Sequence, residues 1–279
     1  MAGLWTTGAV VDKWAGELQI PRSPRRRHDH RSRPPATKVW AVEFAEYLEE
    51  TREQAAALRA AAVAAGPDAQ VPTCPGWTVH RLVRHIARVQ AQVVLSLDAD
   101  PAGEAPRTER PPEDWDELLG FWDTTLGTML DELARRGPGA PAWAFAGFGG
   151  TDFWSRRQAH ETAIHRLDAE HAAHGDDVPH LVFEPGFAAD GADEALHVMV
   201  ARFPTDVAGT VLVHAADAGR AWLVTLTEGG KPVIGKATDI DTDASLVGTA
   251  DAVYRALWKR PSTAVVNGDP ALVAALRTP

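Results

Sequence analysis

Cysteine is almost absent from this 279-residue chain, which has Cys74 alone. No internal disulfide can form, and the Cys-x-x-Cys redox or zinc pattern is excluded. A cytoplasmic location fits a chain built without disulfides. Long apolar runs are also missing, and none approaches the roughly 18 residues that cross a bilayer. The opening stretch MAGLWTTGAVVDKWAGELQ lacks a basic start followed by a long apolar segment, so no signal peptide is read there. The glycine-rich phosphate loop, the G-x-S-x-G nucleophile elbow and the His-Glu-x-x-His zinc motif do not occur. The commonest signatures of nucleotide, serine-hydrolase and metalloprotease chemistry are therefore not available.

Positive charge is scarce outside the first 38 residues. The chain carries 28 Lys/Arg against 38 Asp/Glu, a net charge of -10. Residues 1–38 hold eight Lys/Arg and three Asp/Glu, so everything after them is strongly acidic. A body of that sign does not read as a nucleic-acid binder, which carries a basic face. The segment PRSPRRRHDHRSRPP (21–35) has little to bury and reads as part of a disordered basic leader over 1–38. Contact with nucleic acid or an anionic lipid surface is the alternative for that leader alone.

What the chain does contain is ample core material. Hydrophobic residues make up 45% and charged residues 24%, which is globular, and the length allows one large domain or two modest ones. Apolar residues recur at helical intervals over about 39–65, 79–98 and 113–136, and a fourth helix is read over 151–174. Gly66 closes the first segment and Thr78 caps the second. Four long helices with short to medium links predict a four-helix bundle over 39–175. After 175 the texture changes. One more helix is read over 183–204, then strands over 210–216, 220–227 and 231–238 with glycine-bearing turns. An amphipathic helix over 244–260, a short strand over 262–269 and a closing helix over 270–278 follow. Residues 176–279 thus read as a linker helix and a small α+β domain.

The fourth helix is unusually polar. In RRQAHETAIHRLDAE (156–170), Glu161 and His165 stand at i and i+4, one above the other on a helix, and Asp168 follows on the same face. A Glu and a His projected into a bundle core are a recurring way to hold a metal. A catalytic Zn²⁺ site takes three protein ligands and leaves a position open. His85, bordering the apolar face of the second helix, is the best candidate for the third. Each residue also has a plainer reading. Glu-x-x-x-His is a common spacing, His85 alone suits a core histidine, and Asp168 suits a surface acid paired with an arginine. His160, His171 and His174 lie on the same helix, so spacing alone does not force the ligand set. Cys74 sits in a Pro/Gly turn where packing is the simpler role.

Two stretches carry a family resemblance. VPTCPGWTVHRLVRHIARV resembles a P-T-x-C-P-G-W-T-V-x-x-L-x-x-H pattern, and DFWSRRQAHETAIHRLDAEHAAHG resembles an R-x-x-H-E-x-x-x-H-R-x-D-A-E block. Together they are similar to the mycothiol-dependent maleylpyruvate isomerase family within the DinB-like bundle superfamily. The end of the chain, VYRALWKRPSTAVVNGDPALVAAL, resembles that family's C-terminal domain, whose fold is similar to sterol carrier proteins. The resemblance implies a DinB-like metal-binding bundle followed by a sterol-carrier-like domain. It implies that His85, Glu161 and His165 hold one divalent ion, Zn²⁺ first, and that Asp168 supports a ligand from behind. It implies mycothiol as the thiol cosubstrate and a small electrophilic substrate, with isomerisation or S-transfer as the reaction. The family's L-W-G-R ending matches Leu257-Trp258-Lys259-Arg260, with Lys in place of Gly, and Arg260 becomes a candidate anion contact. A non-catalytic metal-stabilised bundle and a carrier of a lipid-like ligand are the competing classes.

Overall fold

The computed structural model describes residues 42–147, 149–175, 178, 183–237, 241–276 and 278. The basic leader of 1–38 lies outside the described residues. Four long helices come first: α1 Phe44–Ala65, α2 Val79–Ser96, α3 Trp115–Arg136 and α4 Thr151–His174. Their starts follow from local chemistry. Thr78 accepts a hydrogen bond from the Arg81 backbone N–H, and Asp114 accepts from those of Asp116 and Glu117. Gly66 and Gly137 follow α1 and α3 with positive φ, where a side chain would be strained. α1 packs chiefly on α4, and α2 on α3.

α2 has a clear apolar stripe, in which Val79, Leu82, Val83 and Ile86 are fully buried. These meet Leu58, Ala62, Leu118 and Trp122 in one core. α4 is different, because 15 of its 24 residues are buried and they lie on several sides. Ala159, Ala163, Ile164 and Leu167 join the core beneath the later sheet, while Trp154 and Ala169 pack into the bundle. The helix that looks most hydrophilic in sequence is therefore the central one. Its buried charges must find partners there, since an unpaired buried charge costs several kcal/mol.

The second half is a mixed five-stranded sheet with helices on one face. α5 Pro185–Glu194 continues through a π-helical turn, Ala195–Met199, and a 3₁₀ turn, Val200–Arg202. β1 Gly209–Ala215, β2 Arg220–Leu226, β3 Val233–Lys236, β4 Ala244–Gly248, α6 Ala250–Leu257, β5 Val265–Gly268 and α7 Pro270–Ala274 complete it. The strand order is β3-β2-β1-β4-β5, with β1 and β4 parallel and the other pairs antiparallel. Val211, Val213, Val224 and Leu246 point inward and pack with Leu196, Val253 and Leu257.

One element departs from its sequence reading. Residues 244–260 are a strand and a helix, not one helix. Ala244 and Leu246 are buried in alternation and pair with both β1 and β5. Thr249 then caps α6 by accepting from the Ala252 N–H. The five residues of β4 abut the amphipathic run directly, so the apolar pattern crosses the boundary without a break. The helix read over 183–204 is found as one helical stretch, Pro185–Arg202, that passes from α-helix through the π-helical turn to the 3₁₀ turn, and Met199 lines the cleft beside the candidate site.

Candidate metal centre

The described residues from 42 onward belong to one compact unit, so α4 can be related to both the bundle and the sheet region. α4 projects Glu161 and His165 from one face, one turn apart, toward α2. There His85 stands between buried Leu82 and Ile86 but turns outward to meet them. His85 Nε2 lies 2.9 Å from Glu161 Oε1, and His165 Nε2 lies 3.4 Å from the same oxygen. One potential ligand atom from each of the three residues falls within 4.8 Å of the others. The two imidazole rings are 4.9 Å apart and nearly perpendicular. Trp77, from the turn before α2, packs against both rings.

The residues behind this trio fix its orientation. His165 Nδ1 lies 2.8 Å from Asp168 Oδ2, which reserves Nε2 for the side facing Glu161. A carboxylate on the far nitrogen of a ligating histidine is the usual support in metal sites. Asp168 is fully buried and accepts from four residues: His165, Thr73 at 2.5 Å, Cys74 at 3.3 Å, and Arg260 at 2.8 and 2.6 Å. On the other carboxylate, Arg157 donates to Glu161 Oε2 and leaves Oε1 for the histidines. Arg157 is itself buried, donates to Glu194 Oε1 at 2.5 Å, and lies over the Trp258 ring. Glu194 and Arg260 both belong to the second half of the chain, so two ionic ties run from the site into it.

These contacts set the protonation pattern. Burial pushes Glu161 toward the neutral acid, but Arg157 and the two histidines outweigh it and hold the carboxyl well below its usual range. Burial lowers His165, yet the carboxylates of Asp168 and Glu161 raise it overall, to about 9. Burial likewise opposes ionisation of Asp168, and His165 and Arg260 overcome it, keeping Asp168 an anion. Cys74 behaves in the opposite way. Burial first, then the Asp168 charge, pushes its thiol up to about 12. The only thiol of the chain is thus a neutral donor to Asp168 and not a nucleophile at neutral pH.

The donor set suits a divalent ion. Two imidazole nitrogens and one carboxylate oxygen converge, with the remaining polar atoms of His165 and Glu161 held by Asp168 and Arg157, and two histidines with one carboxylate is a pattern known for zinc. The ion would replace the proton on His165 Nε2, which Glu161 Oε1 otherwise accepts. Cys74, His165 and Asp168 also approach one another within 4.8 Å. That group is less suited, because Asp168 is already saturated by Thr73 and Arg260. A cleft of about 960 Å³ opens on the trio, lined also by Cys74, Trp258 and Arg260.

The sequence-level candidates are therefore brought together, with one change of emphasis. His85, Glu161 and His165 converge and Asp168 backs His165. Arg260 reaches the cleft wall, but its donors go mostly to Asp168, to the Trp258 carbonyl oxygen at 2.6 Å and to Cys74. The other α4 histidines are engaged elsewhere. His160 pairs with Asp190, His171 Nδ1 meets the Gly175 carbonyl oxygen, and His174 lies beside Glu170. Sequence reasoning missed Arg157 and Glu194. Arg157 stands four residues before Glu161 on the same helix, which was a usable signal. Glu194 carries none, since only the folded chain brings α5 beside α4.

Fold and site together define a four-helix protein with a candidate metal centre, closed on one side by a mixed-sheet region. Residues 48–170 match the profile of the Mycothiol maleylpyruvate isomerase N-terminal domain, and residues 186–275 match that of the MDMPI C-terminal domain. The chain belongs to the mycothiol-dependent maleylpyruvate isomerase family. Two crystal structures share its fold. One, of the mycothiol-dependent maleylpyruvate isomerase, is 11% identical, with a TM-score of 0.54 over 81% of this chain and 93% of that one. The other, a histidine-to-alanine mutant of the mycothiol-dependent maleylpyruvate isomerase, is 12% identical, with a TM-score of 0.54 over 76% and 88%. No curated protein matches the chain significantly.

Proposed function

We propose that this chain is a metal-assisted, mycothiol-dependent enzyme that isomerises a small electrophilic substrate. The observation that carries the proposal is the approach of His85 Nε2 and His165 Nε2 to Glu161 Oε1 at the base of a wide cleft. His85, Glu161 and His165 would hold one divalent ion, with Zn²⁺ the best match to the donor set. When bound, the ion supplies a lowered thiol pKa, so that an incoming thiol reacts as thiolate. The thiol must come from outside, because Cys74 is held neutral.

The chain's own residues orient and enclose the reaction. Arg157 keeps Glu161 in a single-oxygen presentation, and Asp168 keeps His165 Nε2 aimed at the ion. Trp77 and Trp258 supply apolar walls that exclude water from the thiol. The cosubstrate's sulfur adds to one carbon of a conjugated C=C bond, and the π pair moves to the carbonyl oxygen. The remaining C–C single bond rotates, the pair returns, and the C–S bond breaks to release the trans product and the thiolate. If a leaving group departs instead of the sulfur, the same apparatus gives an S-conjugate.

The reading assigns 39–175 to the metal-binding bundle domain and 176–279 to the linker helix and C-terminal domain. It places the enzyme in the cytoplasm, with a small molecule and a low-molecular-weight thiol as its partners. The cleft's position against the trio favours turnover over a carrier role. The test is incubation of purified protein with mycothiol and maleylpyruvate, followed by spectroscopy and mass analysis. Isomerised product with thiol regenerated supports the reading. A stable thioether identifies S-transfer, and no thiol-dependent change with the metal present defeats both reactions.

A further inference from the structure

The stripe of α2 that presents His85 is rich in arginine. Arg81, Arg84 and Arg88 stand at i−4, i−1 and i+3 from His85, which places all four within about a third of the helix circumference. The loop before α3 adds Arg110. These side chains line a second cleft of about 680 Å³. It adjoins the first, because Trp77 and His85 line both.

The charge here is not matched from within. Arg84 pairs with Glu113 at 2.7 Å, and the backbone oxygen of Glu113 meets His80 Nε2 at 2.8 Å. Arg81 lies over the Trp77 ring, 5.0 Å from its centroid, and donates weakly to the Gly76 carbonyl oxygen at 3.4 Å. Among the described residues, no acidic side chain forms an ion pair with Arg81, Arg88 or Arg110. This happens on a protein whose net charge is -10. Like charges crowded on one side of a helix repel, and the arrangement is destabilising unless an anion offsets it.

We propose that this arginine cleft is an anion-recognition subsite, which binds a carboxylate or phosphate group of the same small molecule whose reactive end enters the metal-facing cleft. Arginine suits the task, since its planar fork meets either group with two parallel hydrogen bonds. The shared wall matters. A ligand held by Arg88 and Arg110 reaches the metal-facing cleft past Trp77 and His85, which line both. Arg84, tied to Glu113, sets the near edge of the subsite. The cleft thus selects elongated acidic ligands over neutral ones of the same length. This rests on the proposed enzyme reading for the identity of the ligand, but not for the existence of the anion site.

The test separates the two. Succinate and inorganic phosphate are titrated by calorimetry at low ionic strength into the purified protein, the chelator-stripped protein, and an Arg88→Gln/Arg110→Gln double variant. The subsite predicts saturable binding that survives metal removal, weakens with added salt, and falls roughly tenfold or more in the double variant. Tighter binding of succinate identifies a carboxylate-bearing ligand, and tighter binding of phosphate a phosphorylated one. Equal binding by the double variant, loss of binding on metal removal, or no saturable binding would overturn the proposal. None of these outcomes depends on turnover, so an inactive protein with an intact anion site counts against the enzyme reading alone.

Discussion

Arg260 grips Asp168 with both Nε and Nη2, at 2.8 and 2.6 Å, across 92 residues of sequence. This fork joins the segment after α6 to the centre of α4, and Asp168 in turn aims His165. A residue outside the bundle therefore holds a histidine inside it. Asp168 is fully buried, so removing Arg260 takes away one of its two positive partners and leaves the carboxylate to His165, Thr73 and Cys74.

Arg260→Ala is accordingly expected to lower stability by about 3 kcal/mol, the range for breaking one side of a buried pair. Chemical denaturation measures it. Asp168→Asn keeps the shape but weakens the hold on His165, and metal affinity should fall roughly ten- to hundredfold by competition with a chelator. Unchanged affinity in Asp168→Asn would show that His165 needs no such support.

Lys259 carries the one positive φ of a non-glycine among the described residues, 58°. It ends α6 in a left-handed cap: the Arg260 N–H donates to the Arg255 carbonyl oxygen at 2.9 Å and that of Lys259 to Ala256 at 3.0 Å. Glycine is the residue that adopts this conformation without strain. Lys259→Gly should stabilise the protein by up to about 1 kcal/mol by relieving the left-handed strain, with metal binding unchanged. A large loss of stability would mean that the lysine side chain makes an essential contact.

Asp190 ties α1, α4 and α5 together. It accepts from Tyr47 Oη at 2.7 Å and from Arg156 Nε at 2.9 Å, and lies 2.9 Å from His160 Nε2. Burial opposes its ionisation, but His160 and Arg156 win and depress its pKa. A depressed carboxylate stabilises the fold above its unfolded pKa of about 3.9, and the contribution is lost as pH falls toward the folded value. Asp190→Asn should therefore cost stability at pH 7 and narrow its gap to wild type in acid. A gap that stays constant down to about pH 2 would contradict the linkage.

His165 gives the opposite sign. Its folded pKa is raised to about 9, above the ordinary value near 6.5, so in the metal-free protein its stabilising charge is complete below 6.5 and is lost as pH rises through 9. Metal binding must displace that proton. Metal uptake at pH 7.5 should release close to one proton from this ring, and affinity should keep climbing toward pH 9. Calorimetry in buffers of different ionisation enthalpy counts the proton. No release at pH 7.5 would remove His165 Nε2 from the ligand set.

Much of this was legible in the chain because helices write strong signals. The i, i+4 spacing of Glu161 and His165 and the position of His85 on the edge of an apolar stripe made the three candidates, but His160, His171 and His174 competed on the same helix, and only the family resemblance singled out the trio. The central placement of α4 was not legible. Its polar residues are buried on several sides by different partners, so no single apolar stripe marks it. β4 was hidden because its five residues run straight into α6. Arg157, Glu194 and the arginine cleft depend on contacts between distant segments, which local periodicity does not encode.

The most direct test is elemental analysis of the purified protein beside His85→Ala, Glu161→Ala and His165→Ala. The account predicts about one divalent ion per chain in the parent, since the trio offers one three-ligand site. It predicts loss of that ion in each variant, together with any mycothiol-dependent turnover. Full metal occupancy in the three variants, or full activity after the metal is removed, would contradict it.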